Sequence, residues 1–238
     1  MKFNNKFRLI ITQNLSSKVN SNIDKALFKS FSQDSMPILR LYSWQKGITF
    51  GAGQNIDNYI ELKKEYKDNY SKRLTGGGIL FHGHDISYTI LLNPNSIENK
   101  GVKETYFLLC QFLLSFYQDL GLEPYFAKDN SDIVLSKNPF CQVGFEAYDI
   151  IIDGKKIGGN AQKRAKNCIL QHGSIPLIKR ENSELFGSSL DEFEKNLSFQ
   201  EAKDKLIESF KTTFNVEFLE DNLNQQEKDI LERLNKES

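Results

Sequence analysis

The period of the apolar positions changes repeatedly along the chain, and each change marks a boundary between elements. Phe7 to Gln13 is apolar and rich in β-branched residues, which predicts a first strand. Asn20, Ser21 and Asn22 supply a helix cap, so a helix is expected over about Ile23 to Ser32. Alternation in Ile38 to Trp44 predicts a strand, and Ile48 to Gln54 a short strand that runs into glycines. Asn58 to Tyr66 reads as a helix with a charged outer face, and Ile79 to His82 with Ile86 to Leu92 as a strand pair ended by Asn93-Pro94.

Val102 to Leu120 has the strongest helical pattern. Phe107, Leu108, Cys110, Phe112, Leu113 and Phe116 make it apolar around much of its circumference, which predicts one buried helix closed by Gly121. Asp132 to Leu135 reads as a strand. Tyr148 to Ile152 and Lys156 to Gln162 read as outgoing and returning strands about an Asp153-Gly154 turn, and Ile169 to His172 and Ser174 to Leu177 continue the sheet. Beyond Leu190 strand patterns fade and charge rises, with amphipathic helices expected over Phe199 to Phe214 and Asn224 to Leu234. Hairpins in series with interspersed helices predict an α+β fold of mixed, mostly antiparallel sheets, with helices mainly on one side.

Composition narrows the function classes. The 238 residues are 39% hydrophobic, enough for a sizeable core, and 18 Phe and 9 Tyr suit a packed interior and an apolar ligand slot. The 31 basic and 31 acidic residues cancel, so no global field favours nucleic acid or a membrane surface. No apolar run approaches the length of a membrane span, and the start has no signal-peptide pattern, so a soluble, cytoplasmic protein is expected. Cys110, Cys141 and Cys168 show neither a disulfide framework nor a zinc spacing, so no metal site is expected.

Three stretches could carry chemistry: Arg73 to His82, the loop around Cys141, and Gly154 to Gly173. Gly76-Gly77-Gly78 is costly to order, which admits either a tight turn or a loop that lets a ligand lie against the backbone. It is not a P-loop, since no GxxxxGK[ST] occurs. Gly158-Gly159 suggests a second backbone wall of the same cleft. Lys156 reads as a solvated strand-end residue or a site cation, and His82 and His172 as structural or functional imidazoles. Cys110 reads as inert core, while Cys141 lies in a loop between Pro139 and Gly144, incidental or a nucleophile activated by a nearby cation such as Lys156.

Arg73-Leu74-Thr75-Gly76-Gly77-Gly78-Ile79-Leu80-Phe81-His82 followed by Asp85-Ile86-Ser87-Tyr88-Thr89 resembles the signature of the biotin/lipoate protein ligase and octanoyltransferase superfamily. Tyr148-Asp149-Ile150 with Asp153 to Gln162, and then Ile169 to Ile175, resemble its second and third blocks. Cys141 stands seven residues before Tyr148-Asp149, as in the ligase-like octanoyl-[acyl carrier protein]:protein N-octanoyltransferase branch. One departure is Gly83, where the family commonly places Asp after the histidine. The resemblance implies a biotinyl/lipoyl transferase-like catalytic domain over residues 1–185, with residues 186–238 as its helical C-terminal extension.

It further implies Cys141 and Lys156 as catalytic residues. Arg73, Thr75, Gly76, Gly77, Gly78, His82, Gly158, Gly159, Asn160, Ala161, His172 and Gly173 are implied to bind substrate. The expected activity is octanoyl transfer from acyl carrier protein, through a Cys thioester, to the lysine of a lipoyl domain such as glycine cleavage H protein or a 2-oxoacid dehydrogenase E2. That chemistry requires no cofactor, and the enzyme is expected to be a monomer. The alternatives are a lipoate-protein ligase using ATP and Mg, an amidotransferase acting between lipoyl domains, and a non-catalytic acyl-binding protein.

Overall fold

The computed structural model describes residues 5–136, 140, 144–180 and 187–237. In chain order the first elements are β1 (Lys6–Leu15), α1 (Ser17–Ser30), β2 (Ile38–Trp44), β3 (Gly47–Phe50), α2 (Ile60–Glu65), β4 (Tyr70–Lys72), β5 (Leu80–His82) and β6 (Asp85–Leu92). Then come α3 (Val102–Leu109), α4 (Gln111–Asp119), β7 (Tyr125–Phe126), β8 (Ile150–Ile152), β9 (Lys155–Lys156), β10 (Gly159–Arg164) and β11 (Ile169–Pro176). The chain closes with α5 (Phe199–Phe214), β12 (Glu217–Glu220) and α6 (Gln225–Glu237). The main sheet has the order β10-β11-β6-β2-β1-β12, flanked by two three-stranded sheets, β4-β3-β5 and β7-β8-β9. The pairs from β10 to β2 are antiparallel, whereas β2-β1 and β1-β12 are parallel. This is the mixed, mostly antiparallel α+β architecture that the strand and helix patterns predict.

Helices cover both faces of the main sheet, not mainly one. On the first face Phe7, Leu9, Leu39, Leu41, Ile86, Tyr88 and Ile90 pack against Leu109, Phe112, Phe116 and Phe210 of α3, α4 and α5. On the second, Ile10, Ile38, Leu91 and Leu170 pack against Ile23 and Leu27 of α1, with Leu231 of α6 alongside. The reason is the parity of the strands, which bury both of their faces.

Several boundaries differ from expectation. Helix α1 begins before Asn20, because the Ser16 hydroxyl accepts from Val19 N and caps it. Asn20, Ser21 and Asn22 lie inside the helix, buried, and their polar groups bond to Arg40, Ser71 and Asn235 rather than to the helix end. The single helix expected over Val102 to Leu120 is two, breaking at Cys110, and Phe107 is half exposed against Phe126. Gly121 does close α4, at φ +73°. Asp132 to Leu135 forms no strand: Asp132 N donates to Asn130 Oδ1 in a local turn, and Val134 is 80% exposed.

Strands β5 and β6 do not form a hairpin. Gly83, at φ +99°, sends β5 to β3 and β6 to the main sheet; a side chain there would meet the Lys46 backbone at 2.8 Å. The Asp153-Gly154 turn is present, both residues at positive φ, but its returning strand breaks at Gly158 (φ +71°) into β9 and β10, which belong to different sheets. Besides the short β7, two strands have no counterpart in the sequence reading. They are β4, parallel to β3, and β12, parallel to β1, where Phe218 packs on Phe210 at 5.6 Å between exposed acidic residues.

Candidate active site

Two cavities meet at Asn160 and Ala161 on β10. The inner one is walled by Asp24, Tyr42, Trp44, His82 and His172, and the outer by the Gly76–Gly78 loop, Tyr106, Phe140, Gly144, Asp149 and Lys156.

The glycine loop is held from behind by Arg73. Its guanidinium donates to the carbonyls of Gly78 (2.7 Å) and Gly76 (3.3 Å), and to Thr49 O and Oγ1 (2.9 and 2.8 Å). Arg73 is therefore a clamp on the loop backbone. Gly77 takes φ +93°, and its carbonyl lies so close to Gly51 that a side chain on Gly51 would meet it at 1.9 Å. Thr75 is buried, its hydroxyl 2.7 Å from His172 Nε2.

Thr49 Oγ1 accepts from Arg73, so its own proton is available for His82 Nε2 at 2.9 Å. His82 Nδ1–H then donates to Asp85 Oδ2 at 3.0 Å, while Trp44 stacks on the imidazole at 3.8 Å. Burial pushes His82 below its ordinary pKa and keeps the ring neutral. Burial works against the Asp85 carboxylate, but His82 and the Ser174 hydroxyl at 2.6 Å outweigh it and hold Asp85 well below the usual carboxylate range. Asp85 also accepts from Gly83 N at 3.1 Å, at the position where the resemblance leads one to expect an acid.

A second network lies beside the first. Asp24 accepts from Arg40 Nη1 (2.7 Å), Thr89 Oγ1 (2.9 Å) and Tyr42 OH (3.2 Å), with His172 Nδ1 at 3.3 Å. Arg40 is fully buried, further bonded to Asn20 and to Thr12 Oγ1 (2.8 Å), and lies over the Tyr42 ring. Burial again opposes the Asp24 charge, and Arg40 and His172 bring its pKa below the ordinary value. His172 thus bridges helix α1 to the glycine loop.

Lys156 is not a solvated strand-end residue. It is 6% exposed, 2.6 Å from Asp149 Oδ2, and donates to the Gly144 carbonyl at 2.7 Å. Burial raises the Asp149 carboxyl, with Lys156 pulling the other way. Cys141 lies outside the described residues; Phe140 and Gly144, on either side of it in sequence, both line the outer cavity. Cys110 and Cys168 are buried, and desolvation pushes both thiols up to about 12, which makes them inert. Among the described residues no group of three or more His, Cys, Asp or Glu could hold a metal ion, and no helix is long and apolar enough to cross a membrane.

Comparison with known proteins gives this cleft a context. The lipoyl protein ligase A/B catalytic domain family matches residues 16–227. The chain belongs to that family. Among curated relatives, the octanoyltransferase LipM of Bacillus subtilis (strain 168) is 29% identical over 260 residues, covering 96% of this chain and 93% of the relative. LipM of Bacillus cereus is 37% identical over 170 residues, covering 66% of this chain and 60% of the relative. Among solved structures, a lipoate-protein ligase A bound with ATP superposes with a TM-score of 0.81 at 19% identity, over 98% of this chain and 95% of that one.

Of the residues singled out from sequence, Arg73, His82, Gly159, Asn160, Ala161, His172 and Gly173 border the inner cavity. Gly76, Gly77, Gly78 and Lys156 border the outer cavity. Gly158 does not border either; it permits the close approach of Ser174 O, 2.2 Å from where a side chain would begin. Sequence reasoning missed Asp24, Arg40, Tyr42 and Trp44. The available signal was an arginine between Leu39 and Leu41 in a strand buried on both faces, which requires a buried anion nearby.

Proposed function

We propose that the protein is an octanoyltransferase that moves an octanoyl group from acyl carrier protein to the lysine of a lipoyl domain through a thioester on Cys141. The carrying observation is the buried Lys156 ammonium, which borders the cavity shared with the Gly76–Gly78 loop and bonds to the Gly144 carbonyl. Gly144 is close in sequence to Cys141. The names of the curated relatives support the same reading.

In the first step the Cys141 thiolate adds to the thioester carbonyl of octanoyl-carrier protein and expels the carrier's thiolate, which takes up a proton. One thioester replaces another, so the step is nearly balanced and needs no ATP. In the second, the lipoyl-domain amine attacks the acyl-enzyme, gives up a proton to solvent and expels Cys141 as thiolate; an amide replaces a thioester, and this step runs downhill. Lys156 supplies the positive charge that favours thiolate over thiol. The alkyl tail needs a dry slot, for which the inner cavity beside Trp44, Leu74 and Leu80 is the candidate. Burying it contributes on the order of 5 kcal/mol before the costs of association.

Intact-mass spectrometry with octanoyl-carrier protein, without ATP, tests this directly. The expected result is an octanoyl adduct that is lost in Cys141→Ser, followed by transfer to an added lipoyl domain. Lipoylation that requires ATP and survives Cys141→Ser would overturn it in favour of a ligase.

A further inference from the structure

Asn160, Gly173 and Tyr88 form one row across β10, β11 and β6, and Gln162 and Gln171 occupy the adjoining row. Gly173 has no side chain, and one placed there would meet Asn160 Oδ1 at 2.2 Å and Tyr88 Cε1 at 2.6 Å. Through that gap the Tyr88 hydroxyl reaches Asn160 Oδ1 at 2.7 Å.

The polarity of this contact is set from a distance. Arg164 can only donate, and its Nη1 donates to Gln162 Oε1 at 3.1 Å, while Nη2 is anchored on Lys100 O at 2.7 Å. Gln162 Nε2 must then be the donor to Gln171 Oε1 at 3.1 Å. Gln171 in turn presents Nε2 to Tyr88 OH at 3.4 Å. Having accepted, the Tyr88 hydroxyl donates to Asn160 Oδ1, which leaves Nδ2–H₂ as the donor end of a residue that borders both cavities. Tyr88 and Gln171 are fully buried, so the end of the relay next to Asn160 is shielded from solvent, and burial keeps the Tyr88 proton in place by raising its pKa.

We infer that Asn160 Nδ2 donates to the acyl carbonyl oxygen as negative charge develops on it, and that Arg164, Gln162, Gln171 and Tyr88 are positioning residues that keep the carboxamide turned that way. The inference rests on the octanoyl-transfer reading and adds the donor for the oxyanion. A neutral amide held in one orientation is suited to this task, because it costs no reorganisation when the charge appears.

Transfer kinetics with octanoyl-carrier protein and a lipoyl domain test the assignment. In Asn160→Ala kcat is expected to fall about 10²–10³-fold, with the donor KM changed much less. Tyr88→Phe is expected to lose about tenfold in kcat, and to lose nothing further in the Asn160→Ala background, since its effect passes through that amide. Losses that multiply would overturn the positioning role, and Asn160→Ala within about twofold of wild type would overturn the donor role. Should Asn160→Ala melt early, Asn160→Asp keeps the acceptor for Tyr88 and puts an oxygen in place of the donor. It is expected to show the same kcat loss, and full activity there would overturn the assignment. A wild-type enzyme that forms no acyl-Cys141 and transfers nothing would instead overturn the octanoyl-transfer reading beneath it.

Discussion

On one face of the main sheet, β6 presents Ile86, Tyr88 and Ile90 to the aromatic core of α4 and α5; on the other, Ser87 lines the inner cavity and Asp85 and Thr89 bond to the side chains around it. Strands β2 and β11 repeat the contrast, with Leu39 and Leu41 against Arg40 and Tyr42, and Ile169 and Ile175 against His172 and Ser174. Both faces are buried to the same degree. The first is held by apolar packing such as Phe112 on Phe210 at 5.1 Å. The second depends on charge pairs that must be complete, because each unpaired member would be left in a medium that solvates it poorly. A site can therefore be recognised in a strand where one parity turns polar without becoming exposed.

The contrast can be broken most severely at Asp24. Asp24→Ala leaves the fully buried Arg40 without its carboxylate and is expected to cost about 3–5 kcal/mol, read by urea denaturation. Asp24→Leu with Arg40→Met makes this face resemble the other; it is expected to regain most of that stability and none of the activity. A double variant as unstable as Asp24→Ala would show that the pair does more than satisfy itself. Phe116→Ala, on the apolar face, should lose about 3–5 kcal/mol while activity per folded molecule stays unchanged.

Acid separates the faces next. Burial pushes the His84 imidazole, beside Asp85, from 6.5 down to about 4. The neutral folded form is favoured, so its contribution of about 3 kcal/mol is complete above the unfolded pKa and is lost as pH falls from 6.5 towards 4. Urea midpoints measured across that window should fall for wild type and flatten in His84→Gln. The smallest effect is expected far from both networks, at the α5 cap, where Ser198 Oγ accepts from Glu201 N. Ser198→Ala should cost about 1 kcal/mol with no change in transfer rate, as checked by thermal melting and the transfer assay.

Short-range patterns made much of this molecule legible. Helix α5 runs over Phe199–Phe214 as its apolar spacing predicts, because an amphipathic period and a Ser198 cap are both local. Strand β2 and the Asp153-Gly154 turn were readable for the same reason. The glycine run, Lys156 and His172 were visible as candidates through spacing and resemblance. Which sheet a strand joins was not visible: Gly83 and Gly158 divide apparently continuous hairpins, and that depends on the backbones of Lys46 and Ser174, distant in the chain. Nor was β12, whose pairing with β1 comes from packing on Phe210 rather than from its own pattern. The same holds within the cleft. Sequence supplied the chemical groups, while hydrogen bonds formed in the folded chain tied the Arg73 clamp to Thr49, paired Asp24 with Arg40 and joined Asn160 to Tyr88. A side chain's charge and shape are properties of the residue, but its pKa, its orientation and the direction of its hydrogen bonds belong to whatever the fold places beside it.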